Sequence, residues 1–539
     1  MRKPLAALLV FLVLLFSAGV LLPASGLLRT GTGKRAAVPT ARGYSVRTLD
    51  RVVAELRRRA GLEAGPLLDD AAFLRRVYLD LIGRPPTVGE WRRFMAERGQ
   101  SKRSRVVREL VGSPEFGRRW ARFWRDVILY RVIDPDDHVE PAVLEEWLAE
   151  ELNAGKPWTE IVQQLITARG RCDLDGPANF VLAHMARPTT LAAETARVFL
   201  GLNIACAECH DDPSGRWKRE EFHGFAAFFA RVDERRLDRD PPPDLPPDVA
   251  PPTPPFEIVV LDALGKEYAM PDKDDPDKSH PIKRPRLLNG HRLPAGLPDA
   301  QRRGLLAQWL THRKNFWFAR AYVNRIWFEF FGSCFSAGPD DIGPGRPLRA
   351  NRILYGLASA WNRASFSARW VPYVIARSDV YQRRCVDPEH ELAFLVGVPR
   401  KRLTSYQVRR SLETIFEVRP QAMPSELIEQ IERAFGVDPS DSRSVLAPTV
   451  DEVLLLLNSP DLERWIEERA RALLYTAPGG SGSLEALCRE LYVRVLSRLP
   501  TEGELEEAVA YLADAPDLGG AVADLLWCLI NSDEFLYVP

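Results

Sequence analysis

Apolar residues recur at spacings of three and four along most of the chain, which is the pattern of amphipathic α-helices. The pattern runs from Val46 to Val232, for example in Val52, Val53 and Leu56, and it resumes from Ala300 to the C-terminus. We therefore expect a mainly α fold with two helical regions.

A proline-rich stretch separates the two helical regions. Residues 241–255 contain nine prolines, and proline fixes φ and removes amide donors, so this stretch is predicted to be an extended linker. Behind it, Phe256 to Met270 alternates β-branched and aromatic positions, which predicts a small β-hairpin around Leu264 and Gly265. The predicted parts are an N-terminal segment at 1–28, a helical domain at 45–235, a proline-rich linker with the hairpin at 236–298 and a second helical domain at 299–539.

One stretch of the chain is repeated near the C-terminus. Residues 78–90 and 492–504 are identical at six of thirteen positions, at a constant offset of 414 residues. Each copy contains Thr-x-Gly-Glu, a capping box in which Thr accepts from the third helical amide and Glu accepts from the amide of Thr. We expect a helix to begin after Thr87 and after Thr501, each within a helical hairpin. Each copy is followed by a helical stretch and then by a closing segment that begins with Ser and ends in Glu-Phe, at residues 113–116 and 532–535.

The N-terminus has the pattern of an export signal. Arg2 and Lys3 precede an uncharged, apolar stretch from Pro4 to Leu28. Such a stretch is either cleaved as a signal peptide or retained as a single membrane anchor. Both outcomes predict a body outside the cytoplasm, in the periplasm or cell envelope, with at most one N-terminal membrane contact.

The charge balance argues against a nucleic-acid partner. Lys plus Arg and Asp plus Glu each number 73 in 539 residues, so no basic footprint is expected. The length suggests two or three domains with ample apolar material. The seven cysteines are scattered and do not read as a disulfide framework.

The strongest chemical signal is one pentapeptide, Cys206-Ala-Glu-Cys209-His210. From seven Cys and eight His, about 0.001 such C-x-x-C-H matches are expected by chance. In this interpretation Cys206 and Cys209 bond the vinyl carbons of haem c, and His210 is the proximal iron ligand. Haem is attached to this motif after export, so the motif and the signal agree. Four residues are candidates for the sixth ligand: His184, Met185, His223 and Met270.

The neighbouring residues predict how the pentapeptide is presented. Apolar residues from Leu191 to Leu202 share one helical face with Cys206 and Cys209, so both thiols are expected to point the same way. An aromatic stripe at helical spacing follows, suited to enclosing a macrocycle and equally to an ordinary core. Its members are Phe222, Phe225, Phe228 and Phe229.

Three other interpretations of the pentapeptide stay open. A zinc site would add His223 or Asp211 as the fourth ligand. A C-x-x-C dithiol would form a disulfide or act as a redox pair. The two cysteines and His210 would otherwise be a buried structural cluster without a cofactor.

Two acidic loops are further candidates for catalysis or calcium binding, at Asp134 to His138 and at Pro339 to Asp341. Runs of Asp and Pro are usually turns with solvated carboxylates. The chain contains no G-x-S-x-G, Walker-type or H-E-x-x-H motif, so nothing marks a hydrolase.

Several motifs resemble those of the planctomycete cytochrome-c-like exported proteins. In the first half they lie at 73–86, 153–158, 198–201, 206–210 and 225–231. The second half resembles the planctomycete-specific domain of unknown function that usually follows, through 318–327, 339–343, 378–382, 400–403 and 457–460. The resemblance covers residues 45–539. It implies an exported, haem-bearing protein of unestablished function.

The chain departs from this family's pattern at two positions. Asp212 stands where members commonly have a histidine shortly after the motif, and Glu329 stands where they have a histidine after Asn-Arg-x-Trp. The chain therefore resembles a short, divergent member.

Three functional hypotheses follow. The first is a c-type haem protein that transfers electrons or supports an envelope oxidoreductase, with a redox partner in the envelope. The second is a non-enzymatic envelope scaffold or surface-binding protein, in which Cys206, Cys209 and His210 are structural. The third is an envelope enzyme acting on polysaccharide.

Overall fold

A computed structural model describes most of the chain. It describes residues 38–130, 139–213, 215–237, 254–275, 277–419, 422–443, 448–476 and 483–539. The predicted signal or anchor at 1–28 lies outside these residues. Within the described ranges, no helix is both long enough and apolar enough to cross a membrane.

The predicted mainly α fold is confirmed, beginning with ten helices in the first half. They are α1 (Val46–Arg59), α2 (Asp70–Ile82), α3 (Val88–Ala96), α4 (Lys102–Val111), α5 (Pro114–Leu129), α6 (Pro141–Asn153), α7 (Trp158–Ile166), α8 (Ala178–Leu182), α9 (Pro188–Thr195) and α10 (Arg219–Ala226). This count refers to the described residues.

Eleven further helices follow in the described second half. They are α11 (Asp299–Leu310), α12 (Phe316–Phe331), α13 (Asn351–Arg363), α14 (Trp370–Ala376), α15 (Ser405–Phe416), α16 (Ser425–Phe435), α17 (Val450–Asn458), α18 (Pro460–Thr476), α19 (Leu484–Leu496), α20 (Glu502–Asp514) and α21 (Leu518–Ile530).

The strands form three small antiparallel sheets. The first has the order β1-β3-β2, and the others pair β4 with β5 and β6 with β7. The strands are β1 (Gly170–Arg171), β2 (Val232–Arg236), β3 (Phe256–Val260), β4 (Tyr268–Pro271), β5 (Ser279–Ile282), β6 (Lys401–Arg402) and β7 (Tyr537–Val538).

The predicted hairpin within Phe256 to Met270 is wrong, although both of its strands form. β3 pairs with β2, which places Glu234 opposite Ile258, and β4 pairs with β5. Alternation marks a residue as part of a strand, but the choice of partner depends on which neighbour buries the same face. Here the buried Val232 of β2 and the buried Ile258 of β3 both join the first core.

Both predicted capping boxes are present. Thr87 Oγ1 accepts from the amide of Glu90 at 3.2 Å, and the Glu90 carboxylate accepts from the amide of Thr87 at 2.8 Å. In the second copy the corresponding distances between Thr501 and Glu504 are 3.3 and 2.7 Å. The helices α3 and α20 therefore begin where the repeated sequence predicts.

The repeat extends beyond the caps to an ion network. Arg84 binds the carboxylates of Glu90 and Glu115, at 2.7 and 2.8 Å in the closest contacts. The second copy reproduces this arrangement with Arg498, Glu504 and Glu534. In each copy an arginine thus ties the start of the second helix to the segment that closes the repeat.

The apolar side chains form two main cores. The first draws on residues between Ala41 and Val398, with Val493 added, so it includes helices on both sides of the proline-rich stretch. The second draws on residues between Leu403 and Val538, with Leu79 added.

Helix α2 contributes to both cores. Its residues from Phe73 to Ile82 are all buried. Leu79 packs in the second core, whereas Val77 and Leu81 pack in the first. A helix buried on every side must also satisfy its polar side chains internally, which explains the contacts of Asp80 and Arg75 below.

Candidate functional site

The pentapeptide follows a break in the chain's helical path. Helix α9 continues into a π-helical turn, Ala196–Leu200, which ends at Gly201 with φ of 63°. A Cβ at Gly201 would lie 2.9 Å from Ile342 Cγ1, so both the positive φ and the close packing require glycine. The expected continuous helical face through the cysteines is therefore wrong, because the left-handed residue ends the helix.

The cysteines lie on a separate 3-10 turn, Ala205–Glu208, and at its end. Ala207 is buried and holds the turn against the core, whereas Cys206 and Cys209 are exposed and carry free thiols. Both sulfur atoms are therefore accessible to a reagent. This exposure does not match the buried structural cluster considered above.

His210 is exposed and held by its own backbone. Its Nδ1 lies 2.8 Å from the carbonyl oxygen of Asp211. A carbonyl oxygen only accepts, so Nδ1 carries the hydrogen and the Nε2 lone pair is available to a ligand. Metal-binding histidines commonly have one N–H held in this way, so the two thiols and this imidazole fit the donor chemistry of c-type haem.

His223 supports the cysteine turn through hydrogen bonds of both ring nitrogens. Its Nε2 lies 2.9 Å from the carbonyl oxygen of Glu208, and its Nδ1 lies 2.7 Å from the hydroxyl of Tyr268. Burial lowers the pKa of His223, so Nε2–H donates to the carbonyl and Nδ1 accepts from the hydroxyl. With both nitrogens engaged, His223 positions the motif and is not free to be the sixth haem ligand or a zinc ligand.

The other candidates for the sixth ligand differ in their surroundings. His184 is fully buried and neither ring nitrogen has a hydrogen-bond partner among the described residues. Met185 is half-buried in the turn that follows α8. Met270 is half-buried on β4, two residues from Tyr268, so the two side chains share one face of the strand. Met270 thus lies on the strand face that supports the motif.

The aromatic stripe is part of the ordinary core. Each of its four phenylalanines is at most 1% exposed. Phe225, for example, packs edge-on against Phe228 and Trp309, with ring centroids 6.0 and 6.3 Å apart. The stripe holds α10 in place behind the cysteine turn.

The described residues do not gather a metal site. No group of three or more His, Cys, Asp and Glu side chains is placed to hold a metal ion in the described ranges. Asp211, the other candidate for a fourth zinc ligand, accepts from the amide of Arg219 at 2.8 Å.

One acidic loop has a structural explanation. Asp340 pairs with Arg325, with Arg197 at 3.2 Å and with the hydroxyl of Ser440 at 2.8 Å. Asp341 pairs with a neighbouring arginine on the same loop. The other acidic candidate, Asp134 to His138, lies outside the described residues.

A second polar cluster, which the sequence analysis missed, is buried between the cores. Lys401 Nζ donates to Asp80 Oδ1 at 3.0 Å and to the carbonyl oxygen of Glu329 at 2.8 Å. The hydroxyl of Tyr381 donates to Asp80 Oδ2 at 2.8 Å. Burial lowers the pKa of Lys401 to about 8, with the charge of Asp80 acting in the opposite direction. The cluster is held together by charge pairing without contact with solvent.

The side chains of this cluster come from the motifs that carry the family resemblance. It joins Asp80 from 73–86, Tyr381 from 378–382, Lys401 from 400–403 and the backbone of Glu329, two residues beyond 318–327. Charged residues inside otherwise apolar motifs require partners once buried, but sequence spacing does not say which motifs meet.

Glu329 also borders a cavity of about 450 Å³. Its carboxylate pairs with Arg119 and, at 2.7 Å, with Arg443. Burial acts to raise the pKa of Glu329, but the two guanidinium groups outweigh it and hold the pKa below its usual value. At the position where the resemblance implies a histidine, this chain therefore has an ion-paired carboxylate.

Fold and site together define a mainly α protein that presents an exposed C-x-x-C-H turn. Residues 48–234 match the PSCyt2 family, described as a protein of unknown function (DUF1549). Residues 302–423 match the PSD1 family, described as a protein of unknown function (DUF1553). The chain therefore carries two domains of planctomycete type, and the resemblance is confirmed at this level. No curated protein and no solved structure matched the chain.

Proposed function

We propose that this protein is an exported electron carrier that holds haem c covalently at Cys206 and Cys209, with His210 as the proximal ligand. One observation supports this proposal above the others. Both thiols are free and exposed on one short turn, and among the described residues the adjacent imidazole is hydrogen-bonded through Nδ1 alone. Bound haem would supply one-electron transfer, and neither domain family has an established activity of its own.

The residues around the turn have defined parts in this proposal. Ala207 anchors the turn in the core, and His223 holds the carbonyl of Glu208, so the two thiols keep a fixed spacing. The carbonyl of Asp211 fixes the tautomer and direction of the His210 ring. The chain thus positions its ligands before any partner approaches.

The test is covalent attachment. The full chain, expressed with a c-type maturation system, is expected to keep a haem stain after denaturation and to give the spectrum of a two-thioether haem. The variant carrying Cys206→Ala and Cys209→Ala should lose both signals. Cys528→Ala removes another exposed free thiol and should leave them unchanged.

Export is tested in the same host. Deleting residues 1–28 should abolish the stain, because the maturation system acts outside the cytoplasm. A folded full-length protein that stains no better than the double variant would overturn the haem proposal. If that unstained protein links Cys206 to Cys209 reversibly, the turn is instead a redox dithiol.

A further inference from the structure

A shallow cavity of about 410 Å³ lies at the turn between α11 and α12, and its lining includes Trp317, whose ring contacts that of Trp217. Its described lining consists of three aromatic residues, three basic residues and two asparagines, with no carboxylate. Volumes of this size hold small ligands or a few units of a polymer. Its composition predicts the chemistry of the ligand.

The position of Arg320 is the first indication that the ligand of this cavity is an anion. Its guanidinium lies over the ring of Tyr355 at 4.0 Å and over the ring of Phe316 at 5.5 Å. Most arginines in the described residues pair with a carboxylate, but no ion pair is present there for Arg320 or for the neighbouring Lys314. Two aromatic rings fix the orientation of the guanidinium, so its N–H donors are already placed to bind the oxygens of a carboxylate or a sulfate.

The aromatic side chains provide the second indication. Phe316 is 64% exposed at the first position of α12, although burying a phenylalanine is favourable. Trp309 and Trp317 are half-buried, and each is fixed from behind by another aromatic ring. These aromatic rings expose flat apolar faces to solvent next to polar groups. Such a surface suits a ligand that has both an apolar face and many hydroxyl groups.

The amide side chains provide the third indication. Asn315 Nδ2 donates to the carbonyl oxygens of Trp309 and Leu310, at 3.2 and 3.1 Å. No described residue donates to its Oδ1, so this oxygen is an acceptor at the cavity. The exposed Asn289 uses Oδ1 for the amide of His291, which leaves its two amide hydrogens as donors. Paired donors and acceptors of this kind match vicinal hydroxyl groups.

We infer that this cavity binds an anionic saccharide, a pyranose chain that carries carboxylate or sulfate groups. The sugar ring stacks on Phe316 and Trp317, and its acidic group meets Arg320 and Lys314. This site is separate from the proposed haem site, so the two proposals stand or fall independently.

Binding is measured by calorimetry and by quenching of tryptophan fluorescence with the full-length protein. The probes are a tetragalacturonate, a sulfated galactan tetrasaccharide and cellotetraose. We expect at least one of the two anionic probes to bind about tenfold or more tightly than cellotetraose, with weaker binding at higher salt. The comparison of the two anionic probes separates a carboxylate ligand from a sulfate ligand.

Variants test the assignment of the residues. Arg320→Gln should lower the affinity for the preferred probe about tenfold, and Phe316→Ala should lower it by a similar factor. Arg464→Gln and Leu264→Ala change an exposed arginine and an exposed apolar residue elsewhere, and both should leave binding unchanged. The four side chains are exposed or half-exposed, so the variants should fold.

Three outcomes would overturn the inference. One is binding of cellotetraose as tight as that of both anionic probes. Another is equal binding of polyglutamate, which would show a response to charge alone. The third is unchanged binding in Arg320→Gln, which would place the saccharide on another surface.

Discussion

The guanidinium of Arg75 donates to the carbonyl oxygen of Val495 at 2.8 Å, although 420 residues separate them in the chain. A second nitrogen of the same group donates to the carbonyl oxygen of Phe535 at 2.9 Å. Arg75 lies three residues before the first copy of the repeat, Val495 lies within the second copy, and Phe535 lies in the segment that closes it. One buried side chain thus binds two backbone carbonyl groups, one in the last turn of α19 and one in the segment that closes the second copy.

Replacing Arg75 with Met should therefore destabilise the protein by about 2 kcal/mol, because two buried carbonyl groups lose their donors. The change is measured as the free energy of unfolding in denaturant. Arg489 lies 414 residues after Arg75, three residues before the second copy, and its side chain is 46% exposed and pairs with Glu485. Arg489→Met should change stability by less than about 0.5 kcal/mol. Equal effects of the two substitutions would show that the link across the repeat does not contribute.

The two capping boxes should contribute alike. Thr87→Ala and Thr501→Ala each remove an acceptor for the third helical amide, and each should cost about 1 kcal/mol of unfolding free energy. Thr87→Ser and Thr501→Ser keep the hydroxyl and should recover most of the loss. If alanine at one site is as stable as the parent, the cap at that site makes no net contribution.

His184 should make stability depend on pH in the acidic range. Burial lowers the pKa of His184 to about 4 from its ordinary value of 6.5. Below pH 6.5 the unfolded chain takes up a proton here and the folded chain does not, so unfolding becomes easier as the pH falls towards 4. The contribution lost over this range is about 3 kcal/mol.

A variant isolates this contribution. His184→Phe keeps a ring beside Phe180 and removes the titrating group, so unfolding free energies at pH 7.5, 6 and 5 should fall less steeply than in the parent. His291→Phe, at an exposed position, should retain the parent's slope. Parallel pH profiles for His184→Phe and the parent would contradict the assignment.

Local sequence was sufficient to predict the mainly α fold and the starts of two helices. Three- and four-residue spacing predicts the mainly α fold, and Thr-x-Gly-Glu predicts the starts of α3 and α20, because a cap needs only residues within one turn. The same holds for the strand character of β3 and β4. The family motifs were also recognisable in the sequence. Both family matches lie within residues 45–539, which carried the resemblance.

The pairing of strands and the packing between distant segments could not be predicted from local sequence. Sequence alternation identified β3 and β4, but β2 and β5 took the places of their expected partners because burial of shared faces selects the register. The helix before the cysteines ended at Gly201 because the packing of Ile342 favours a residue without a side chain there. Neither constraint is local.

The sequence by itself determined the pentapeptide, its spacing and the apolar periodicity of the helices, because these depend on neighbouring residues alone. Only the tertiary structure decided that Cys206, Cys209 and His210 are exposed and that His223 supports their turn. It also brought Asp80, Tyr381 and Lys401 together. The physical reason is that a charged group removed from water requires a partner, and the fold can supply that partner from any distance along the chain.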